Sequence, residues 1–129
     1  MSKTRCIDLA AELDMICFGN GRGFAKTADH RLFLVSDRTW RDPSKNRRAP
    51  YELVFSDTQS ITRMMCISWR LILLVSGGSV YELRFAADAD TNELFEQIQF
   101  PDGGLITKIV NTKYQVFYLT VGNRCYTSQ

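Results

Sequence analysis

Residues 61–82, ITRMMCISWRLILLVSGGSVYE, and residues 106–127, ITKIVNTKYQVFYLTVGNRCYT, align without a gap at an offset of 45. Five positions are identical: Ile61/Ile106, Thr62/Thr107, Leu74/Leu119, Gly77/Gly122 and Tyr81/Tyr126. Met64/Ile109, Met65/Val110, Trp69/Tyr114, Leu71/Val116 and Ile72/Phe117 keep apolar or aromatic character. An internal repeat of this length marks a stack of similar supersecondary units. A fainter copy, LDMICFGNGRGFAKTADHRLFL, runs from Leu13 to Leu34 at an offset of 48 from the middle one.

Each copy predicts three short strands. In the middle copy they cover 61–66, 70–75 and 80–85, and Ser76-Gly77-Gly78-Ser79 joins the last two. Gly-Gly between β-formers is a strong hairpin signal. The corresponding turns are Gly122-Asn123 in the third copy and Asp29-His30 in the first. The strands are near-continuous apolar runs, which predicts sheets covered on both faces.

A fourth strand is predicted after the first two copies, at Tyr51–Phe55 and Leu94–Phe100. Cys6–Leu9 has the character to serve the third copy from the other chain end, as in propellers that close a blade with both termini. The expected organisation is one all-β domain over 1–129. It holds three four-stranded, propeller-blade-like repeats at about 10–55, 56–100 and 101–129, with 1–9 supplying the last strand. The alternative is a small α+β domain with an antiparallel sheet. In it Asp90–Ile98 is a helix capped at Thr91, and Ser2–Ile16 is also helical.

The 129 residues fit one domain, and 45 % apolar with 23 % charged residues is a globular composition. A net charge of +2 does not announce a nucleic-acid binder, so any basic site must be local. The start, MSKTRCIDLA, has no signal-peptide core. The longest aliphatic run, Leu71–Val75, is far too short to cross a bilayer. These features predict an intracellular protein, cytoplasmic or nuclear, without membrane contact. Cys6, Cys17, Cys66 and Cys125 lack zinc-type spacing and sit among apolar neighbours. They read as small buried hydrophobes in a reducing compartment.

Motifs for chemistry are sparse. Gly19-Asn-Gly21-Arg-Gly23-Phe24 is not a dinucleotide fingerprint and leads into strand, so it reads as a glycine turn. His30 is the single histidine and stands in a predicted turn, with no ligand companions. No catalytic residue, metal or cofactor is expected.

Two loops after third strands stand out. Residues 37–50, DRTWRDPSKNRRAP, hold Arg38, Arg41, Lys45, Arg47 and Arg48 around Trp40, against Asp37 and Asp42. Basic side chains with an aromatic suit a phosphate, a single-stranded nucleic acid or an acidic partner. The equivalent stretch, 86–96, carries Asp88, Asp90, Glu93 and Glu96 and no base. Opposite charge on equivalent loops suggests salt-sensitive self-association.

The copies ICFGNGRGFAKTADHRLF, MMCISWRLILLVSGGSVYEL and IVNTKYQVFYLTVGNRCYTS resemble the repeat of the regulator of chromosome condensation family. That repeat runs as an apolar pair, a Gly, a strand, a small Gly-containing turn and a Val-Tyr-like pair. Here the Gly survives only as Gly19, and the His that usually opens the second strand is absent from all three copies. The resemblance implies blades of a ring of about seven. A chain with strands for three is then an open array, half of a dimeric ring or a shortened relative. It also implies a scaffold for protein–protein interaction, with chromatin binding or nucleotide exchange on a small GTPase as further family activities. No exchange residue has a matching position here. The expectation is a non-enzymatic interaction module with a protein partner or a homodimer. Nucleic-acid binding through residues 37–50 and GTPase exchange are the alternatives.

Overall fold

The computed structural model describes residues 6–19, 21–38, 44, 49–67, 69–85, 94–101 and 103–128. They form three antiparallel sheets in sequence order. Sheet one is β1 (Leu13–Gly19), β2 (Arg22–Thr27), β3 (Leu32–Asp37) and β4 (Tyr51–Leu53). A 3₁₀ turn, Thr58–Ser60, leads into sheet two. That sheet is β5 (Ile61–Ile67), β6 (Arg70–Val75), β7 (Val80–Arg84) and β8 (Glu96–Gln97). Sheet three is β9 (Ile106–Asn111), β10 (Val116–Thr120) and β11 (Cys125–Ser128). Among the described residues there is no α-helix, and no helix is long and apolar enough to cross a membrane.

The repeat offsets hold at the level of single hydrogen bonds. Thr27 N–H donates to Arg31 O, Val75 to Ser79 and Thr120 to Arg124, each at 2.9–3.0 Å. Ala28 donates to Glu12, Ser76 to Ser60 and Val121 to Leu105. The left-handed residue of these hairpins is His30 (φ 66), Gly78 (φ 94) or Asn123 (φ 61). Glycine takes that conformation without a Cβ penalty, and Asn and His are among the residues that tolerate it best. The register of the first two strands also slips at one place in each copy, around Asp14, Thr62 and Thr107. A bulge places an extra side chain there. Thr62 and Thr107 use it to donate to Leu74 O and Leu119 O, 3.1 and 3.2 Å away. Asp14 instead pairs with Lys26.

The sheets stack face to face, and alternation along each strand divides two cores. Phe24, Leu32 and Leu34 of sheet one meet Met64, Leu71, Leu73 and Phe85 of sheet two. From the other face of sheet two, Met65, Ile72, Leu74 and Val80 meet Ile106, Ile109, Val116 and Tyr118 of sheet three. Sheet two is therefore covered on both faces, which is why β6 is buried at every position. Full burial of each such side chain contributes about 1.5–3 kcal/mol. Phe55 and Phe100 wedge the connections, packing edge-on against Tyr81 and tilted against Tyr126 at centroid distances of 5.1 and 5.4 Å.

Several expectations need correction. Cys6–Leu9 forms no strand, and sheet three has three strands among the described residues. The offset of 48 sets Ile7 opposite Phe55, in the connection after a fourth strand rather than in the strand. Leu9 accordingly packs on Phe33 and Val35 of sheet one. The fourth strands are shorter than alternation suggested. Only Glu96 and Gln97 pair with β7, because Phe95, Ile98 and Phe100 turn into the cores. Leu94–Ile98 is not helical and Leu13–Ile16 is strand, which leaves neither proposed helix intact.

Candidate interaction site

At the two ends of the stack some positions that its interior buries are exposed; on sheet one these lie on β1, while Ala25, Phe33 and Val35 are buried beside Leu9. Leu13 and Ile16 of β1 hold the positions of Ile61 and Met64 and of Ile106 and Ile109, which sheets one and two cover in turn. No described sheet precedes β1, and Leu13 and Ile16 are 50 % and 59 % exposed, against 3 % and 1 % at Ile106 and Ile109. At the other end Val110, Phe117, Leu119 and Cys125 occupy the positions of Met65, Ile72, Leu74 and Val80. Val110 is 36 % exposed where Met65 is 6 %, and Phe117 and Leu119 are half-buried. A contiguous apolar face on a folded domain marks a place where another surface packs.

Two arginines lie at the same position of successive copies, opening β2 and β6. Arg22 Nε is 3.7 Å from Asp37 Oδ1, and its guanidinium lies 4.9 and 4.6 Å from the rings of Trp69 and Phe85. It thus spans the seam between sheets one and two. Arg70 Nη1 donates to Glu82 Oε2 (3.4 Å) and Ser128 Oγ (3.2 Å), tying sheet two to the end of sheet three. Arg70 Nε and Nη2 meet no acceptor among the described residues. Tyr118 Oη and Ser128 Oγ share a hydrogen bond of 2.9 Å. Burial pushes the Tyr118 phenol above its ordinary value, partly offset by Ser128. These buried charges act as seam ties. Their spacing as single residues at strand starts gave no hint of burial.

Of the basic set, Arg38 is exposed at the end of β3. Its N–H donates to Gly21 O at 2.8 Å, and it rims a depression with Phe18, Gly23 and Ser36. Trp40, Arg41, Lys45, Arg47 and Arg48 lie outside the described residues, as do Asp88, Asp90 and Glu93. Glu96 is exposed in β8 opposite Glu82. Asp37, read as part of the basic loop, is instead buried beside Arg22.

The cysteines divide into two kinds, which corrects the reading of all four as buried. Cys6 and Cys125 are exposed, and Cys17 and Cys66 are half-buried; all four are free thiols. Cys66 Sγ donates to Gly19 O at 3.4 Å, where β1 and β5 run side by side. Burial first, and then Cys66, pushes the Cys17 thiol up to about 12; burial pushes Cys66 up to about 11. Raised thiols of this kind are poor nucleophiles. Among the described residues no group of His, Cys, Asp and Glu is arranged to hold a metal.

No family model matches the chain, and no curated relative does. Among solved structures it is similar to human WBSCR16, with a TM-score of 0.60 and 14 % identity over 92 % of this chain. It also matches PorZ, a surface component of the type-IX secretion system of Porphyromonas gingivalis, at a TM-score of 0.45 and 16 % identity over 92 % of this chain. The chain spans 34 % of the first protein and 16 % of the second. The first likeness extends over all three stacked sheets and is one of fold.

Proposed function

We propose that this chain is a non-enzymatic protein–protein interaction module. Its three sheets are blades of the kind found in the regulator of chromosome condensation family, and further blades or a partner complete the array. The observation that carries the reading is the pair of end faces. Positions buried in two copies stand exposed at Leu13 and Ile16, and positions buried in sheet two are open at Val110 and Cys125. Propellers close with about 4 to 8 blades, so three blades leave both ends needing cover.

Amine cross-linking of the protein in cell extract tests this, read by mass spectrometry at Lys108 and Lys113, which are exposed on sheet three. The expected products join these lysines to other polypeptide chains, and Val110→Asp removes them. Cross-links confined within one chain, unchanged by Val110→Asp, would refute the module reading.

A further inference from the structure

We propose that the seam between sheets one and two holds a site for a soft monovalent cation, copper(I), with Cys17 and Cys66 as thiolate ligands and Met64 as a thioether ligand. Alternation along the two facing strands gathers the sulfurs. On β1, Met15 and Cys17 turn into the core shared with sheet two, while Ile16 and Phe18 are exposed on the other face. On β5, Met64 and Cys66 turn toward sheet one, while Met65 and Ile67 serve the core with sheet three. The strands approach each other at Gly19, where a Cβ would lie 2.5 Å from Cys66 O and 3.3 Å from Cys66 Cβ. Cys66 Sγ donates to Gly19 O there at 3.4 Å. Gly19 ends β1 and Cys66 stands one residue from the end of β5, so the strands run the same way along their contact. Two residues back along each, Cys17 falls beside Met64. Both thiols are only half-buried, which leaves them a path to solvent.

The repeat does not impose sulfur at these positions. In the third copy they are Val110, Ile109 and Asn111. The core between sheets two and three has Met65 as its one sulfur among the described residues. Thiolate with thioether sulfur is a donor set that selects copper(I). The four-ligand set of a structural zinc site is not offered, since Cys17 and Cys66 have no third His, Cys, Asp or Glu beside them among the described residues. Burial, and then Cys66, keeps the Cys17 thiol protonated, and burial keeps Cys66 so. A cation between the two sulfurs counters both causes. One copper(I) displaces two protons to solvent and leaves a complex with one negative charge. No electron is transferred. The charge of buried Arg22 already favours the Cys66 thiolate and offsets that negative charge. The site is independent of what covers the ends of the stack.

The probe is copper(I), added without oxygen to the full chain carrying Cys6→Ser and Cys125→Ser, which removes the two exposed thiols. In competition with bathocuproine disulfonate one ion per chain should stay bound, and its X-ray absorption spectrum should show three sulfur ligands. Cys17→Ala and Cys66→Ala should each weaken binding by about a hundredfold or more, since a ligand weighs more than the groups around it. Met64→Leu, which conserves volume, should weaken it about tenfold and leave two sulfurs in the spectrum. Copper fully removed by the chelator would overturn the proposal. So would oxygen or nitrogen ligands, affinity unchanged in either alanine variant, or a sulfur count unchanged by Met64→Leu. Far-UV circular dichroism checks each fold. Should an alanine variant fail to fold, the spectrum of the Cys6→Ser/Cys125→Ser chain decides, with any set other than three sulfurs refuting the site.

Discussion

Gly77 and Gly78 make a paired test of the seam between sheets two and three. Both have left-handed φ values, +93° and +94°, so alanine at either carries backbone strain of about 1–3 kcal/mol. They differ in what a methyl group meets. At Gly77 nothing lies within 4 Å. At Gly78 a Cβ would sit 2.8 Å from Leu105 Cβ and 2.9 Å from Ile106 N. Those atoms open β9, so relief requires sheet three to move off sheet two. The Ile106–Gly78 hydrogen bond then lengthens, a loss of about 1 kcal/mol, and forced overpacking costs about 1–3 kcal/mol more. Gly78→Ala is therefore expected to lose about 2–4 kcal/mol beyond Gly77→Ala. For a chain of this length that gap is on the order of 10 °C in Tm. Urea titration followed by far-UV circular dichroism, with thermal melts alongside, gives both numbers. Equal losses in the two variants would mean that the turn does not bear on sheet three.

Three further outcomes follow from the buried groups. Glu82→Ala leaves Arg70 buried beside the Ser128 hydroxyl and should cost about 3 kcal/mol, whereas Arg70→Met/Glu82→Leu should stay within about 1 kcal/mol of wild type; a loss below 1 kcal/mol for Glu82→Ala in urea would contradict the tie. Cys17 and Cys66 keep their protons in the fold up to about 12 and 11, whereas the unfolded thiols ionise near 9.0, so stability is whole below pH 9.0 and falls as the pH rises toward those values; denaturation midpoints from neutral to alkaline pH should fall less in Cys17→Ala/Cys66→Ala, and parallel curves would disprove the assignment. Trp69 holds φ 65° where the first copy has Gly21 at φ 76°, and its ring covers Arg22; Trp69→Gly should be near neutral alone but stabilising by about 1–2 kcal/mol in an Arg22→Met background, and additive effects would exclude the coupling.

The parts of the fold legible in the chain were those set by local chemistry. Gly77-Gly78 announced a hairpin, and the unbroken apolar run Leu71–Val75 announced a strand covered on both faces. The gapless offsets then carried the turn to Asp29-His30, where no glycine marks it. What stayed hidden depends on neighbours. Leu13 and Ile16 have the same apolar character as Ile106 and Ile109, and only the presence or absence of a preceding sheet decides their exposure. Nothing local says that an acid from β3 or β7 will meet Arg22 and Arg70 inside a seam. Leu94–Phe100 alternates like a long strand, yet Phe95, Ile98 and Phe100 serve the cores from a connection. Strand pairing there is restricted to two residues.

The three copies keep backbone geometry more strictly than chemistry, and this bears on where function resides. The bulge persists whether a threonine donates to a carbonyl or Asp14 pairs with Lys26. The left-handed hairpin position accepts His30, Gly78 and Asn123 alike. A seam so defined needs apolar side chains at a few fixed positions and tolerates much else, so the inner faces of the sheets are constrained by packing. The ends are different, because Leu13, Ile16 and Val110 are exposed there. There the composition separates, with acids alone from Cys6 to Gly19 and bases alone from Gly103 to Ser128. Exposed side chains on β1 and sheet three, rather than those packed in the seams, can therefore vary without disturbing the stack.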